Sequence, residues 1–227
     1  MGSRMTEKDV LYEDNHIIIV NKKSGQVVQV DDTNDQPLDE IVKAFLKKKY
    51  QKEGNVFLGV IHRLDRPVSG CIIFAKTSKA LARLNKMFQE KKIQKTYWAL
   101  CLKKPQQSNG HIKSFLVKDR SKNKTKSFPK KVKDGKFSEL LYEQIRNVSG
   151  KALIEVNPLT GRPHQIRVQL ASIGCIIQGD LKYGAPEANP DKSICLHSRK
   201  VKLIHPVSKE EISVEAPIHN SDIWGVK

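Results

Sequence analysis

Two short stretches of the sequence concentrate side chains that could carry out chemistry. The first is HRLDRPVSG at residues 62–70, where one carboxylate, Asp65, lies between Arg63 and Arg66. A neighbouring positive charge favours the ionised form of a carboxyl group, and an ionised carboxylate can act as a nucleophile or a general base. Taken alone, the stretch favours a structural Asp–Arg pair that holds a turn, because ion-pair networks also perturb carboxylates without catalysis.

The second stretch, NPLTGRPHQIRVQ, begins at residue 157. It places four polar or charged side chains within six residues, where a loop runs into a predicted helix: Arg162, His164, Gln165 and Arg167. Backbone N–H groups at a helix start also face outward, so the stretch suits an active-site wall lined for phosphate. A plain basic helix face would show the same pattern.

Several common catalytic classes lack their motifs. The sequence has no H-E-x-x-H and no C-x-x-C pair, so we predict no metal site. It has no phosphate-binding loop, dinucleotide fingerprint or G-x-S-x-G elbow, so we predict no nucleotide cofactor and no serine hydrolase. Isolated cysteines in apolar contexts predict buried free thiols in a reducing cytosol. They are Cys71, Cys101, Cys175 and Cys195.

The charge of the chain indicates a polyanionic partner. Lys and Arg total 41 against 24 acidic residues, which gives a net charge of +17. Nucleic acid fits this imbalance better than an anionic membrane surface, because no long basic amphipathic helix is visible. Nine basic residues and two acids fall between Lys118 and Lys136. We predict a basic loop over 119–136, which is either a solvated excursion or an arm that contacts RNA.

Periodicity predicts a helix over 37–50, a buried strand over 71–77 with a helix capped by Ser78 after it, and a strand over 95–102. Strands outnumber helices, so we expect an α+β fold with a mixed, largely antiparallel sheet. We expect one domain over 5–227, with residues 1–4 as a cloning remnant. No signal peptide or membrane span is visible, so we expect a cytoplasmic monomer with no obligatory protein partner.

Five motifs in order make the chain similar to the RluA family of RNA pseudouridine synthases. Any one of them would be weak evidence, whereas the ordered set is specific. They are LYEDNHIIIVNKKSGQVVQ, HRLDRPVSGCIIFAKT, KTYWAL, PLTGRPHQIRVQLASIGCIIQGDLKYG and CLHSRKVKLIHP. The resemblance covers nearly the whole chain and implies the catalytic domain of that family, with its central catalytic cleft and without the N-terminal RNA-binding domain that relatives often carry.

The resemblance also implies roles for single residues. Asp65 would be the catalytic aspartate, Tyr97 would stack on the target base, and Arg167 would pair with Asp65. Arg63 would help to fill the space left by the displaced nucleotide. Residues expected to contact RNA are Arg63, Arg66, Arg162, His164 and Gln165. The chain departs from the family pattern at Val68, Pro163, Gln169 and Cys175, which leaves the choice of RNA in doubt but not the reaction class.

The implied reaction is isomerisation of uridines in structured RNA, either ribosomal or transfer RNA, without a cofactor. Uridine in folded RNA is stacked, so an enzyme that acts on its glycosidic bond must extrude the nucleotide. A non-catalytic RNA-binding protein on the same fold is the alternative, because a fold does not fix a function. An unrelated DNA-binding protein is a remote third reading, since no helix-turn-helix, zinc finger or basic zipper pattern occurs.

Overall fold

The computed structural model describes residues 5–30 and 35–225, so the predicted remnant at 1–4 lies outside the described residues. The chain forms two compact units. Unit 1 comprises Met1–Gln94 and Ser198–Ile218, and unit 2 comprises Lys95–His197 and His219–Lys227. The expectation of a single domain did not anticipate this subdivision. Unit 1 takes residues from both halves of the sequence, so no linker composition marks its boundary.

The described ranges contain eleven strands and four α-helices. The strands are β1 (Val10–Glu13), β2 (Ile17–Lys22), β3 (Gly59–Val60), β4 (Ser69–Ala75), β5 (Gln94–Cys101), β6 (Asn109–Asp119), β7 (Lys124–Phe128), β8 (Lys136–Val148), β9 (Lys151–Pro158), β10 (Leu196–Ile204) and β11 (Glu211–Glu215). The helices are α1 (Leu38–Lys49), α2 (Ser78–Gln89), α3 (Gln165–Ser172) and α4 (Ser221–Trp224). No helix of the described residues is long and apolar enough to cross a membrane.

In unit 1 the strand order is β1-β2-β4-β10, with β3 beside β4 and β11 beside β10. Every residue of β2 and β4 is buried, which explains why both strands read as continuous apolar runs rather than alternating patterns. The helix after β4 begins one residue away from the predicted cap. Thr77, not Ser78, is the N-cap, and its hydroxyl accepts a hydrogen bond from the N–H of Ala80.

In unit 2 the strand order is β5-β9-β8-β6-β7, and all of these pairings are antiparallel. This largely antiparallel sheet with few helices confirms the predicted fold class. Helix α3 is buried on every side from Gln165 to Leu170, as expected for a helix packed within a core. All four cysteines are free and buried, which confirms that prediction.

The prediction of a basic loop over 119–136 is wrong for part of that range. Strand β6 runs to Asp119, and β7 pairs with it in antiparallel register, so the two strands and their turn at 120–123 form a hairpin. We call this element the basic hairpin. The strand was missed because its outward residues are lysines and its inward residue Thr125 is polar, so the alternation carries little apolar signal.

Candidate active site

Asp65 lies in the irregular segment between β3 and β4, at the start of a turn. The N–H of Val68 donates to the Asp65 carbonyl oxygen at 3.0 Å, which closes that turn. Asp65 is half-buried, whereas Arg63 and Arg66 on either side of it are exposed. Arg66 forms an ion pair with Asp35 at 2.5 Å in which both side chains are about half exposed, so the pair adds little stability.

Lys22 holds the turn that follows Asp65. Its side chain is 0% exposed, and its Nζ donates to the carbonyl oxygens of Val68 at 2.6 Å, Arg66 at 3.1 Å and Lys23 at 3.1 Å. An ammonium group has three N–H donors, so these three acceptors satisfy all of them. The buried charge is therefore compensated by backbone dipoles at the turn itself.

Two residues close to Lys22 in the sequence also donate hydrogen bonds to the same turn. The Ser24 hydroxyl donates to the Pro67 carbonyl oxygen at 3.0 Å, and the Gly25 N–H donates to the Arg66 carbonyl oxygen at 2.8 Å. Gly25 has φ +86°, a left-handed conformation that favours glycine. We call Lys22, Ser24 and Gly25 the turn clamp. Three successive carbonyls, at 66–68, are thus bound by one short segment at the end of β2, residues 22–25.

The electrostatics of the turn clamp involve Asp65. The pKa of Lys22 is lowered to about 7, mainly by burial and to a smaller extent by the positive charge of Arg66. The negative charge of Asp65 acts in the opposite direction and raises the Lys22 pKa. Asp65 and Lys22 therefore interact electrostatically as well as through the backbone that the clamp holds, so the ionised form of Asp65 favours the charged form of Lys22.

Both ends of the segment that carries Asp65 are held by β4. The Nε2 atom of His62 accepts a hydrogen bond from the Ile73 N–H at 3.0 Å, and its ring stacks on Phe88 with centroids 5.0 Å apart. Gly70 has φ +111°, and a Cβ there would lie 2.3 Å from the Ser198 carbonyl oxygen. Only glycine permits this approach of β4 to β10, which explains the S-G pair that ends HRLDRPVSG.

Unit 2 contains a second buried cation, Arg167 on α3. Its Nε donates to one carboxylate oxygen of Asp180 at 2.7 Å, and its NH2 nitrogen donates to the other at 2.8 Å. Arg167 is 5% exposed and Asp180 is 1% exposed. This bidentate geometry is the strongest form of an Arg–carboxylate contact. The resemblance implies that Arg167 pairs with Asp65, and that pairing stays a prediction. Asp180, which the sequence did not single out, is a carboxylate partner of Arg167 within unit 2.

His164 precedes α3 in a left-handed conformation with φ 55°, which is uncommon for a residue other than glycine. Its Nδ1 lies 2.8 Å from the Tyr183 hydroxyl. The same hydroxyl accepts a hydrogen bond from the N–H of Thr125 in β7 at 2.9 Å. The segment before α3 and the basic hairpin therefore meet at one hydroxyl group.

The remaining predicted residues of unit 2 differ in exposure. Tyr97 lies in β5 opposite Val156 and is 8% exposed. Arg162 is exposed, and its Nε donates to the Phe137 carbonyl oxygen at 3.3 Å. Gln165, which was expected to contact RNA, is buried and uses its amide internally. Its Oε1 accepts from the Thr160 hydroxyl and the Arg162 N–H, so Gln165 holds the Arg162 loop.

Comparisons with known proteins identify the family. Residues 16–172 match the family model described as RNA pseudouridylate synthase. The chain is 30% identical over 224 residues to ribosomal large subunit pseudouridine synthase C of Rickettsia bellii, covering 96% of this chain and 71% of that protein. It is 34% identical over 215 residues to the uncharacterized RNA pseudouridine synthase YhcT of Bacillus subtilis, covering 93% and 68% respectively.

The fold comparison agrees with the sequence comparison. The structure of human RNA pseudouridylate synthase domain containing 4 superposes with a TM-score of 0.77 at 21% identity, covering 93% of this chain and 88% of that one. At that identity the likeness shows a shared fold. Together with the sequence matches, it shows that the chain belongs to the RNA pseudouridine synthases of the RluA family. The protein is thus an isomerase that acts on RNA.

Sequence reasoning missed three residues of these local networks: Lys22, Asp180 and Tyr183. The signals were present, since Lys22 is the last residue of an apolar strand, where a charged side chain is hard to bury. Asp180 and Tyr183 lie three residues apart in GDLKYG, so one helical turn places them together. Each residue acts through a contact distant in sequence, and neither composition nor periodicity reports such contacts.

Proposed function

We propose that the protein converts specific uridines of ribosomal or transfer RNA to pseudouridine, with Asp65 as the catalytic carboxylate. One observation carries this proposal. The turn that begins at Asp65 is bound at three successive carbonyls by the turn clamp, while Asp65 itself is half-buried. A fixed backbone that carries a partly exposed aspartate is the arrangement that a preorganised catalytic group needs.

The reaction suits a site built around one carboxylate. The bond between ribose and uracil nitrogen 1 breaks, and a bond from ribose to ring carbon 5 forms. Carbon 5 loses a proton and nitrogen 1 gains one, so the atoms of substrate and product are the same. A carboxylate could attack the sugar or the ring, or remove a sugar proton, and each of these roles requires the ionised form.

RNA binding is supported by charge and by side-chain type. Arg63 is exposed beside Asp65 and is suited to entering the stack in place of an extruded nucleotide. Tyr97 is the aromatic residue that the family resemblance assigns to stacking on the extruded base, and it is 8% exposed. The basic hairpin presents exposed Lys124 and Lys126, which are suited to phosphate contacts. We also retain the predictions of a cytoplasmic location, a monomer and no obligatory protein partner.

The decisive experiment compares wild type with Asp65→Asn in cells that lack their own related synthases. We expect the wild type to introduce pseudouridine at one or more sites, and the variant to be slower by roughly 10³-fold or more, since it lacks the ionisable group. RNA binding should change little. Pseudouridine mapping across total RNA gives the readout and names the substrate.

The matched control is Asp222→Asn, which changes an exposed carboxylate in α4 by the same atoms. It should modify RNA at the wild-type rate. If Asp65→Asn also retains the wild-type rate, the assignment of Asp65 is wrong. If the wild type modifies nothing, in these cells or with RNA from the source organism, the alternative of a non-catalytic RNA-binding protein is favoured.

A further inference from the structure

Tyr183 connects three parts of unit 2 through its hydroxyl group. The hydroxyl oxygen accepts the N–H of Thr125 in β7 at 2.9 Å and lies 2.8 Å from Nδ1 of His164. Burial raises the Tyr183 pKa, so the hydroxyl keeps its proton at neutral pH. The hydroxyl therefore accepts a hydrogen bond from the basic hairpin and shares a second hydrogen bond with the residue that precedes α3, whose direction depends on the tautomer of His164.

A second contact joins the same two elements. The Thr125 hydroxyl donates to the Pro163 carbonyl oxygen at 3.1 Å. At the hairpin turn, Nζ of Lys182 donates to the Asn123 carbonyl oxygen at 2.9 Å. Residues 182 and 183 thus hold the hairpin at two places, and the Tyr183 contact is the buried one, since Thr125 is 2% exposed.

The aromatic ring of Tyr183 contacts two cations, because Nζ of Lys124 in the basic hairpin lies 5.5 Å from the ring centroid and Arg167 lies against the same ring. The guanidinium carbon of Arg167 lies 5.1 Å from the ring centroid, within the range of a cation–π contact. Asp180, which binds Arg167 in bidentate fashion, is three residues earlier in the same helical turn, where the Tyr183 N–H donates to the Asp180 carbonyl oxygen at 3.0 Å. The segment 180–183 therefore fixes Arg167 from two sides, by a carboxylate and by a ring.

We propose that Tyr183 is a positioning residue that couples RNA binding to catalysis. Its ring sets the position of Arg167, and its hydroxyl sets the position of the basic hairpin relative to α3. RNA held on the hairpin lysines is thereby presented in a fixed register to the residues around Arg167. This inference rests on the proposed function, because it assigns the hairpin to RNA and Arg167 to the reaction.

The two roles can be separated by two substitutions. Tyr183→Phe removes the hydroxyl and keeps the ring, so the KM for RNA should rise about fivefold while kcat stays within about twofold. Tyr183→Leu removes both, so kcat should also fall, by at least about tenfold. The matched control is Tyr142→Phe. Tyr142 and Tyr183 are both 9% exposed, and the Tyr142 hydroxyl donates to the Gln107 carbonyl oxygen at 3.4 Å.

A double-mutant cycle tests the coupling independently of turnover. Binding of unfractionated transfer RNA and of purified ribosomal RNA is measured against salt for wild type, Tyr183→Phe, Lys124→Ala with Lys126→Ala, and the triple variant. Loss of two phosphate contacts should reduce the salt slope by about 1.4–1.8. If Tyr183 positions the hairpin, Tyr183→Phe should weaken binding less in the lysine-free background than in wild type.

Several outcomes would overturn the proposal. Additive effects of the substitutions in the double-mutant cycle would show that the hydroxyl only stabilises the fold. The same conclusion would follow if Tyr183→Phe matches Tyr142→Phe in its KM and salt slope. If Tyr183→Leu keeps the wild-type kcat, the ring does not position Arg167 for the reaction. A wild type that binds RNA without turnover would reject the proposed function, while the binding cycle would still decide whether the hydroxyl positions the hairpin.

Discussion

Lys22 in unit 1 and Arg167 in unit 2 are both buried basic residues, and the two are stabilised in different ways. Lys22 in unit 1 donates to three backbone carbonyls, whereas Arg167 in unit 2 is paired with the Asp180 carboxylate. Lysine is a compact, strongly hydrated charge whose pKa shifts readily on burial, while arginine stays charged. The hydrogen bonds that Lys22 donates hold a turn in place, whereas the carboxylate of Asp180 holds the charge of Arg167 in place. The difference teaches that a buried cation can serve either backbone geometry or electrostatics.

The largest expected effect comes from breaking the charged pair. Asp180→Asn removes the bidentate carboxylate from the buried Arg167 charge, which should cost about 3–5 kcal/mol of unfolding free energy. Urea denaturation of the variant and the wild type measures this cost. Asp180→Asn combined with Arg167→Met should regain part of the loss, since no buried charge then remains. A double variant as unstable as the single one would show that packing, not charge, dominates this site.

Lys22→Met should cost less unfolding free energy, about 2–3 kcal/mol. It leaves three carbonyl oxygens without the hydrogen-bond donor of Lys22, whereas Asp180→Asn takes a counter-ion from a buried charge. The cost should depend on pH. Below about pH 6 Lys22 is charged in both the folded and the unfolded chain. Between about pH 7 and 10 the unfolded chain binds a proton that the folded chain does not, so wild-type stability rises with pH relative to the variant.

The measurement is the difference in unfolding free energy between wild type and Lys22→Met at several pH values, which cancels the other titrating groups. A difference that grows between about pH 7 and 10 supports the lowered Lys22 pKa. If the difference in unfolding free energy stays constant or decreases between about pH 7 and 10, the three carbonyls keep the Lys22 ammonium group charged. Backbone dipoles would then offset the cost of burying that charge as completely as a carboxylate does.

The smallest expected effect is that of Ser24→Ala, which removes one neutral hydrogen bond from the same turn, at the Pro67 carbonyl. It should cost about 1 kcal/mol at every pH, because neither partner titrates. Urea denaturation again gives the value. A loss comparable with that of Lys22→Met would indicate that the number of donors to the turn, and not the charge on one of them, stabilises it.

The fold class and the reaction class followed from the sequence because they rest on features that are local in sequence. An apolar run predicted β4, and the HRLD and GRPHQIR stretches carry their motif residues side by side. The basic hairpin was missed because lysine alternating with small polar residues resembles a solvated loop. The expectation of one domain stays a prediction, and the two compact units are not visible in the sequence because unit 1 is discontinuous and no local composition marks it.

The contacts of the site were less predictable. Lys22 binds carbonyls 44 and 46 residues away, and Arg167 binds a carboxylate 13 residues away. A single sequence states residue types and their order, but such pairs form only when two segments are packed together. The expected RNA contact of Gln165 illustrates this limit, since its position in the motif did not reveal that its amide is used within the protein.

The discontinuity of unit 1 has a consequence for biosynthesis. Strand β4 takes β10 as a neighbour, and Gly70 packs against Ser198, yet more than half of the chain is translated between them. Chains emerge from the ribosome N-terminal end first, so the nascent chain carries the HRLD segment while that edge of β4 still lacks its neighbour. The edge of β4 beside the Asp65 turn is therefore completed only late in synthesis, after the lysines of the basic hairpin have been translated.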